Sequence, residues 1–175
     1  MDLINLIENT DHLIKSNEAI SKWHTWEASG DGNYIFGKKK QSNRYCLNES
    51  QEDIKYIYNK IYWLFDEYFK IYQNSVKKNI GAFGEFGIGK YHTGSTMGRH
   101  VDVDPTRKDF KETVSGILYL NDDYEGGEIF FEDQQLLIKP QSGSMIIFPS
   151  DPPFFHESKI VQQGVKYICT AFCST

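Results

Sequence analysis

Thr113-Val-Ser-Gly-Ile-Leu-Tyr-Leu-Asn121 runs into Asp-Asp-Tyr-Glu-Gly-Gly127 and then Glu-Ile-Phe-Phe131. The first part is apolar and β-branched, and the second is a dense cluster of turn formers. The third is apolar again. That pattern is a strand, a break and a strand. The same grammar extends in both directions from residue 80 onward. Apolar runs rich in Ile, Phe, Tyr and Val alternate with Gly, Pro, Asn and Asp, and Lys139-Pro-Gln-Ser-Gly143 is a second strong break. The spacing predicts eight strands, near 84–92, 98–103, 113–121, 127–131, 134–138, 143–149, 154–162 and 165–173. Eight closely spaced strands imply two packed sheets of the jelly-roll type.

Upstream, the pattern is helical. Ile54, Ile57, Tyr58, Ile61, Leu64 or Phe65, Tyr68 and Tyr72 recur at intervals of three and four, which predicts an amphipathic helix over 49–73. Asn48 or Ser50 can cap its start. Its apolar stripe is read as the face that lies on the back of a sheet. Leu3, Leu6, Ile7, Leu13 and Ile14 suggest a shorter helix at the start, and Tyr34-Ile-Phe36 a short strand. Gly37-Lys-Lys-Lys-Gln-Ser-Asn43 reads as a polar basic loop, and Val103–Thr113 as a charged connection able to act as a lid or as plain solvated surface. The expected organisation is one domain, 1–175, with a helical support region over 1–79 and a jelly-roll core over 80–173. The fold class is mainly β (α+β).

The totals narrow the function. A chain of 175 residues with 11 Tyr and 12 Phe can build a real core. A net charge of −5 argues against a protein that wraps nucleic acid, which needs a dense basic field. No apolar run approaches the roughly 20 residues of a membrane span. The N-terminus has neither a basic region nor a long apolar core, so no signal peptide is expected. Three cysteines without CxxC spacing, Cys46, Cys169 and Cys173, fit reduced, buried thiols and a cytoplasmic location. Asn48-Glu-Ser50 matches a glycosylation sequon, read as accidental without a secretory signal.

The chemistry-bearing residues lie on the predicted strands. His100-Val-Asp102 is His-x-Asp, and in extended chain residues two apart point the same way. An imidazole and a carboxylate converging on one point suit a divalent metal. A second histidine with open positions left over makes the set suit non-haem Fe(II). His156, in Phe154-Phe-His-Glu157, supplies that histidine. In Val165–Phe172, alternation places Lys166, Ile168, Thr170 and Phe172 on one face. A lysine and a threonine on a mostly apolar face are costly unless paired, and a bound carboxylate would pair them.

In these residues the chain resembles the Fe(II)- and 2-oxoglutarate-dependent oxygenases of the prolyl 4-hydroxylase branch, collagen-type and oxygen-sensing. The resemblance spans about 80–173 and rests on Tyr91-x-x-Gly94, His100-x-Asp102, Ile117-Leu-Tyr-Leu-Asn121, Gly126-Gly-Glu-Ile-Phe130, Pro140-x-x-Gly143-x-x-Ile-Ile-Phe148, His156 and Lys166. It implies a double-stranded β-helix with helices on the outer face of its major sheet. It also implies that His100, Asp102 and His156 bind Fe(II). Lys166, with Tyr119 and Tyr91, would hold the far carboxylate of 2-oxoglutarate, with Thr170 a weaker candidate. O2 is the second cosubstrate, and ascorbate would keep the iron reduced. The implied reaction releases succinate and CO2 and hydroxylates a C–H bond in a protein or peptide, by expectation at proline. Met97 departs from the aromatic common in relatives. Lys166 follows the collagen-type pattern, where oxygen-sensing relatives carry Arg. A carboxylate at 102 argues against a halogenase. Competing readings are a hydroxylase of free amino acids or other small molecules, a nucleic-acid demethylase, and a non-catalytic jelly-roll binding module. No nucleic-acid or membrane partner is expected, and the sequence leaves the oligomeric state open.

Overall fold

A computed structural model describes residues 3–5, 7–8, 24–25, 27–28, 34–35, 43–47, 55–77, 79–84, 86–103 and 114–174. The major sheet runs in the order β1 (His24–Thr25), β4 (Asn43–Leu47), β5 (Phe86–His92), β14 (Val165–Cys173), β7 (Val114–Tyr119) and β11 (Met145–Pro149). All of its neighbours are antiparallel. The minor sheet runs β10 (Leu136–Ile138), β9 (Ile129–Phe131), β12 (His156–Ser158) and β6 (Met97–His100). Two small pairs complete the strands: β8 (Glu125–Gly126) with β13 (Val161–Gln163), and β2 (Glu27–Ala28) with β3 (Tyr34–Ile35). Two sheets face each other, as the strand spacing predicts.

One long helix, α1 (Lys55–Val76), covers the outer face of the major sheet. Ile57, Ile61, Phe65 and Phe69, four residues apart, are its buried stripe. They meet Phe86 and Ile88 of β5, Val114 and Leu118 of β7, and Cys169, Ala171 and Cys173 of β14. Removing each such side chain from water contributes roughly 2 kcal/mol. The predicted stripe differs at one turn: Phe69 is buried, whereas Tyr68 turns aside and donates from its hydroxyl to Gly143 O at 3.3 Å. The helix packs closely because β7 has no side chain beneath it at Gly116. A Cβ there would lie 2.5 Å from Phe69 Cε2.

Several predicted boundaries shift. The strand expected over 98–103 ends at His100, because the Asp102 and Val103 N–H groups donate to Ser150 O rather than to a strand neighbour. The strand expected over 154–162 divides into β12 and β13, since the chain changes partner from β9 to β8 at Lys159 and Ile160. The strand expected over 127–131 shortens to β9, and β8 forms just ahead of it, inside the stretch read as a break. Residues 43–47, which join the major sheet as β4 beside β5, carry no strand expectation from the sequence. Strands therefore enter the region read as helical support. The proposed caps Asn48 and Ser50, the basic loop's lysines, most of the 103–113 connection and the leading Leu13 and Ile14 lie outside the described residues.

Helical residues 3–5 and 7–8 are tied to the sheet by a polar contact. Glu8 accepts hydrogen bonds from Lys90 Nζ and Tyr167 OH, both at 2.7 Å. Burial pushes the Glu8 carboxyl up, but these two donors outweigh it and hold it below its ordinary value. Cys169 and Cys173 are buried, as expected, and burial pushes Cys173 up to about 12.

Gly116→Ala is expected to force α1 off the sheet or Phe69 off its rotamer, costing about 1–3 kcal/mol. A thermal melt checks it, and an unchanged midpoint would contradict the close packing described.

Candidate active site

Between the sheets lies a cavity that opens to solvent. His100, Asp102, His156, Tyr91, Tyr119, Lys166 and Thr170 all line it, so the structure brings every sequence-predicted site residue to one place. Its apolar wall includes Met97, Ile117, Ile129 and Ile168.

The histidines come together through sheet register. His100, the last residue of β6, pairs directly with His156, the first of β12. Their rings lie 4.3 Å apart between centroids. Asp102 arrives from the bend beyond β6, its N–H fixed on Ser150 O at 3.0 Å. Its Oδ1 lies 3.4 Å from His100 Nε2 and 3.8 Å from His156 Nε2. Ligand atoms of the three residues all fall within 4.8 Å of one another, and all three residues are buried.

Backbone carbonyls set the histidine tautomers. His100 Nδ1 is 2.7 Å from Gly98 O, and His156 Nδ1 is 3.2 Å from Phe154 O. A carbonyl can only accept, so each Nδ1 carries a proton and each Nε2 faces Asp102. Burial lowers His156 to about 4, with Asp102 pulling the other way, so the ring is neutral at pH 7. Burial pushes the Asp102 carboxyl up, but His156, His100 and the Ser115 hydroxyl hold it well below the usual carboxylate range. Two imidazoles and one carboxylate can hold Fe(II) and leave positions open. The donor set fits that ion.

Lys166 sits at the other end of the cavity, 2 % exposed. Its Nζ donates to Gly127 O and Ser158 Oγ, both at 2.7 Å. An ammonium has three N–H bonds, so one remains for a bound anion. Register places Tyr91 of β5 directly opposite Lys166, and Tyr119 of β7 opposite Ile168. The ammonium consequently lies 5.0 Å from the Tyr91 ring and 5.5 Å from the Tyr119 ring. Burial lowers Lys166 to about 7, with Glu128 opposing and Lys139 adding to the fall. Gly127, at φ +66°, lets its chain pass close by, where a Cβ would come 3.2 Å from Lys166 Cδ. Thr170 lines the cavity too, although its hydroxyl donates to Gly87 O at 3.4 Å.

Ser158, Ser115 and Ser150 escaped the sequence reading. Ser158 lies two residues beyond His156, and strand alternation could have placed it on the same face. Ser115 shares a strand face with Ile117 and Tyr119, but nothing in sequence pairs it with Ser150.

Comparison with known proteins agrees with this geometry. Residues 86–174 match the sequence profile of the 2OG-Fe(II) oxygenase superfamily. Among solved structures, a Pseudomonas putida prolyl-4-hydroxylase superposes with a TM-score of 0.66 at 18% identity, covering 98% of this chain and 85% of that one. A Trichoplax adhaerens prolyl hydroxylase, in complex with a hypoxia inducible factor oxygen degradation domain peptide fragment, gives 0.63 at 16% identity, with 98% and 77% covered. The viral collagen prolyl hydroxylase of Paramecium bursaria Chlorella virus-1, solved with 2OG, gives 0.57 at 22% identity, with 77% and 80% covered. These likenesses carry the fold. None of the curated proteins matches the chain in sequence.

Lys166 has a stability signature. Its folded value lies below its unfolded one, so between about 10.5 and about 7 the unfolded chain binds the extra proton. Stability of the metal-free, ligand-free protein is therefore expected to fall as pH drops through that window. Lys166→Met should flatten the slope. Urea denaturation at pH 7 to 10 measures it, and parallel slopes in both proteins would refute the assignment.

Proposed function

The chain belongs to the 2OG-Fe(II) oxygenase superfamily, and from that premise we propose that it hydroxylates proline at C4 in a protein or peptide, releasing succinate and CO2. The observation that carries the reading is the meeting, in one cavity, of the His100–Asp102–His156 set with a buried lysine flanked by two tyrosines. The fold of the prolyl hydroxylases compared above supports the choice of proline.

His100 and His156 would bind Fe(II) through Nε2 and Asp102 through Oδ1, the carboxylate offsetting part of the metal's charge. With 2-oxoglutarate and O2, the bound metal supplies the oxidation: one oxygen atom enters succinate as CO2 leaves, and the other becomes the product hydroxyl. Lys166 would grip the far carboxylate of 2-oxoglutarate in a charge-assisted hydrogen bond. Burial lowers its ammonium to about 7. A bound carboxylate would restore the charge, so cosubstrate entry brings a proton with it. Tyr91 and Tyr119 confine the ammonium from two sides. Met97, Ile117, Ile129 and Ile168 keep water from the reacting centre. Thr170 and Phe172 line the same cavity from β14 and would bear on the bound molecules there. Ascorbate would serve as external reductant.

Among the described residues, no helix is long and apolar enough to cross a membrane.

Incubation with Fe(II), 2-oxoglutarate and a library of proline-containing peptides is expected to release succinate and to add 16 mass units at proline. Succinate release without a peptide shift, but with a shift in a free amino acid, would instead favour a small-molecule substrate. No succinate under any condition would leave only a binding module. His100→Ala and Asp102→Ala are expected to abolish turnover while the fold survives. Lys166→Ala removes a charged hydrogen bond worth about 2–3 kcal/mol, which corresponds to roughly 30–150-fold more 2-oxoglutarate at half-saturation. An unchanged 2-oxoglutarate titration would remove Lys166 from the site.

A further inference from the structure

Two serines behind Asp102 have no part in the chemistry proposed above. Ser115 lies on β7 of the major sheet, and Ser150 lies just past β11; each is 0 % exposed. Their hydroxyl oxygens are 2.8 Å apart. The Ser115 hydroxyl also hydrogen-bonds the Asp102 carboxylate. Ser150 meanwhile grips the other end of the same residue: its carbonyl accepts from Asp102 N at 3.0 Å and Val103 N at 3.2 Å.

The proton order follows from chemistry. A carboxylate only accepts, so the Ser115 proton points to Asp102. The Ser115 oxygen then accepts from Ser150. A chain of two hydroxyls thus runs from Ser150 through Ser115 to the carboxylate, while the Ser150 backbone holds the Asp102 main chain. Buried hydroxyls cost free energy unless paired, so this pair is paired at both ends.

The bend carrying Asp102 has left the strand ladder, so sheet pairing with β12 does not orient its side chain. The histidines are different: carbonyls two residues upstream, Gly98 O and Phe154 O, turn them. We propose that Ser115 and Ser150 are positioning residues that fix the Asp102 carboxylate from the opposite sheet, so that Oδ1 alone is offered at the point the two Nε2 atoms share. The distances to both histidines run from that single oxygen. A carboxylate held this way takes one coordination position and leaves the others for cosubstrates. The inference rests on the reading of His100, Asp102 and His156 as a metal site.

The test is Mn(II) affinity of the full chain, titrated without cosubstrate, alongside the melting temperature of the metal-free protein. Ser115→Ala is expected to weaken Mn(II) binding on the order of 10-fold, as loss of a partner behind a metal ligand does. Ser115→Cys preserves volume with a weak donor and is expected to show a similar loss should the alanine variant fold poorly. Ser115→Thr keeps the hydroxyl and is expected to bind Mn(II) like the wild type. Ser115→Ala combined with Ser150→Ala should bind no more weakly than Ser115→Ala alone, because one chain is already cut. A lowered melting temperature with Mn(II) affinity within twofold of wild type in both the Ala and Cys variants would overturn the positioning role. A wild-type chain that binds no Mn(II) would overturn the metal reading beneath it.

Discussion

Strand β14 has two faces, and the rest of the molecule is arranged about that fact. Alternation sends Cys169, Ala171 and Cys173 into the core under α1. It sends Lys166, Ile168, Thr170 and Phe172 into the cavity between the sheets. A slip of one residue would drive the lysine into the helix interface and the thiols into the site. Pairing on both sides prevents that slip. β5 holds β14 at Lys166↔Tyr91, and β7 holds it at Ile168↔Tyr119. Those pairings also bring the two tyrosines beside the ammonium. The register that fills the core is the same register that builds the Lys166 end of the cavity.

The cavity concentrates polar groups where burial opposes them. Burial lowers both His156 and Lys166 and pushes against ionised Asp102. Each group has a different remedy. His156 stays neutral and gives its Nδ1 proton to a carbonyl. Asp102 keeps its charge because both histidines and Ser115 surround it. Lys166 donates to Gly127 O and Ser158 Oγ. A metal cation would answer the first two groups and a dicarboxylate the third. The free protein is thus electrostatically incomplete in a way that two ligands of opposite charge would complete.

Much of the fold was legible because both sheets and α1 are amphipathic with clean periods. The runs from residue 80 onward located the strands, and the three-and-four spacing located α1. The errors cluster where hydrogen bonds go to unexpected partners. Asp102 and Val103 donate to Ser150 O, so a strand stops early. Lys159 donates its N–H to Glu128 O at 2.7 Å, where the chain passes from one sheet to the small pair. β4 was invisible because Asn43-Arg-Tyr-Cys-Leu47 is a short, mixed run, and its place beside β5 depends on a partner distant in sequence.

By itself, the sequence determined residue types and faces. It placed His100 and Asp102 two apart, put Lys166 and Thr170 on one side of a strand, and named His156 as their distant complement. Those readings need only local geometry, which the backbone period supplies. The tertiary structure alone decided what stands behind them. The Ser115–Ser150 pair, Ser158 under Lys166 and the close passage of Gly127 by Lys166 all join separate strands whose distance in sequence carries no contact information. Local chemistry selects the groups, and only the packing of one sheet on the other fixes the distances at which they act.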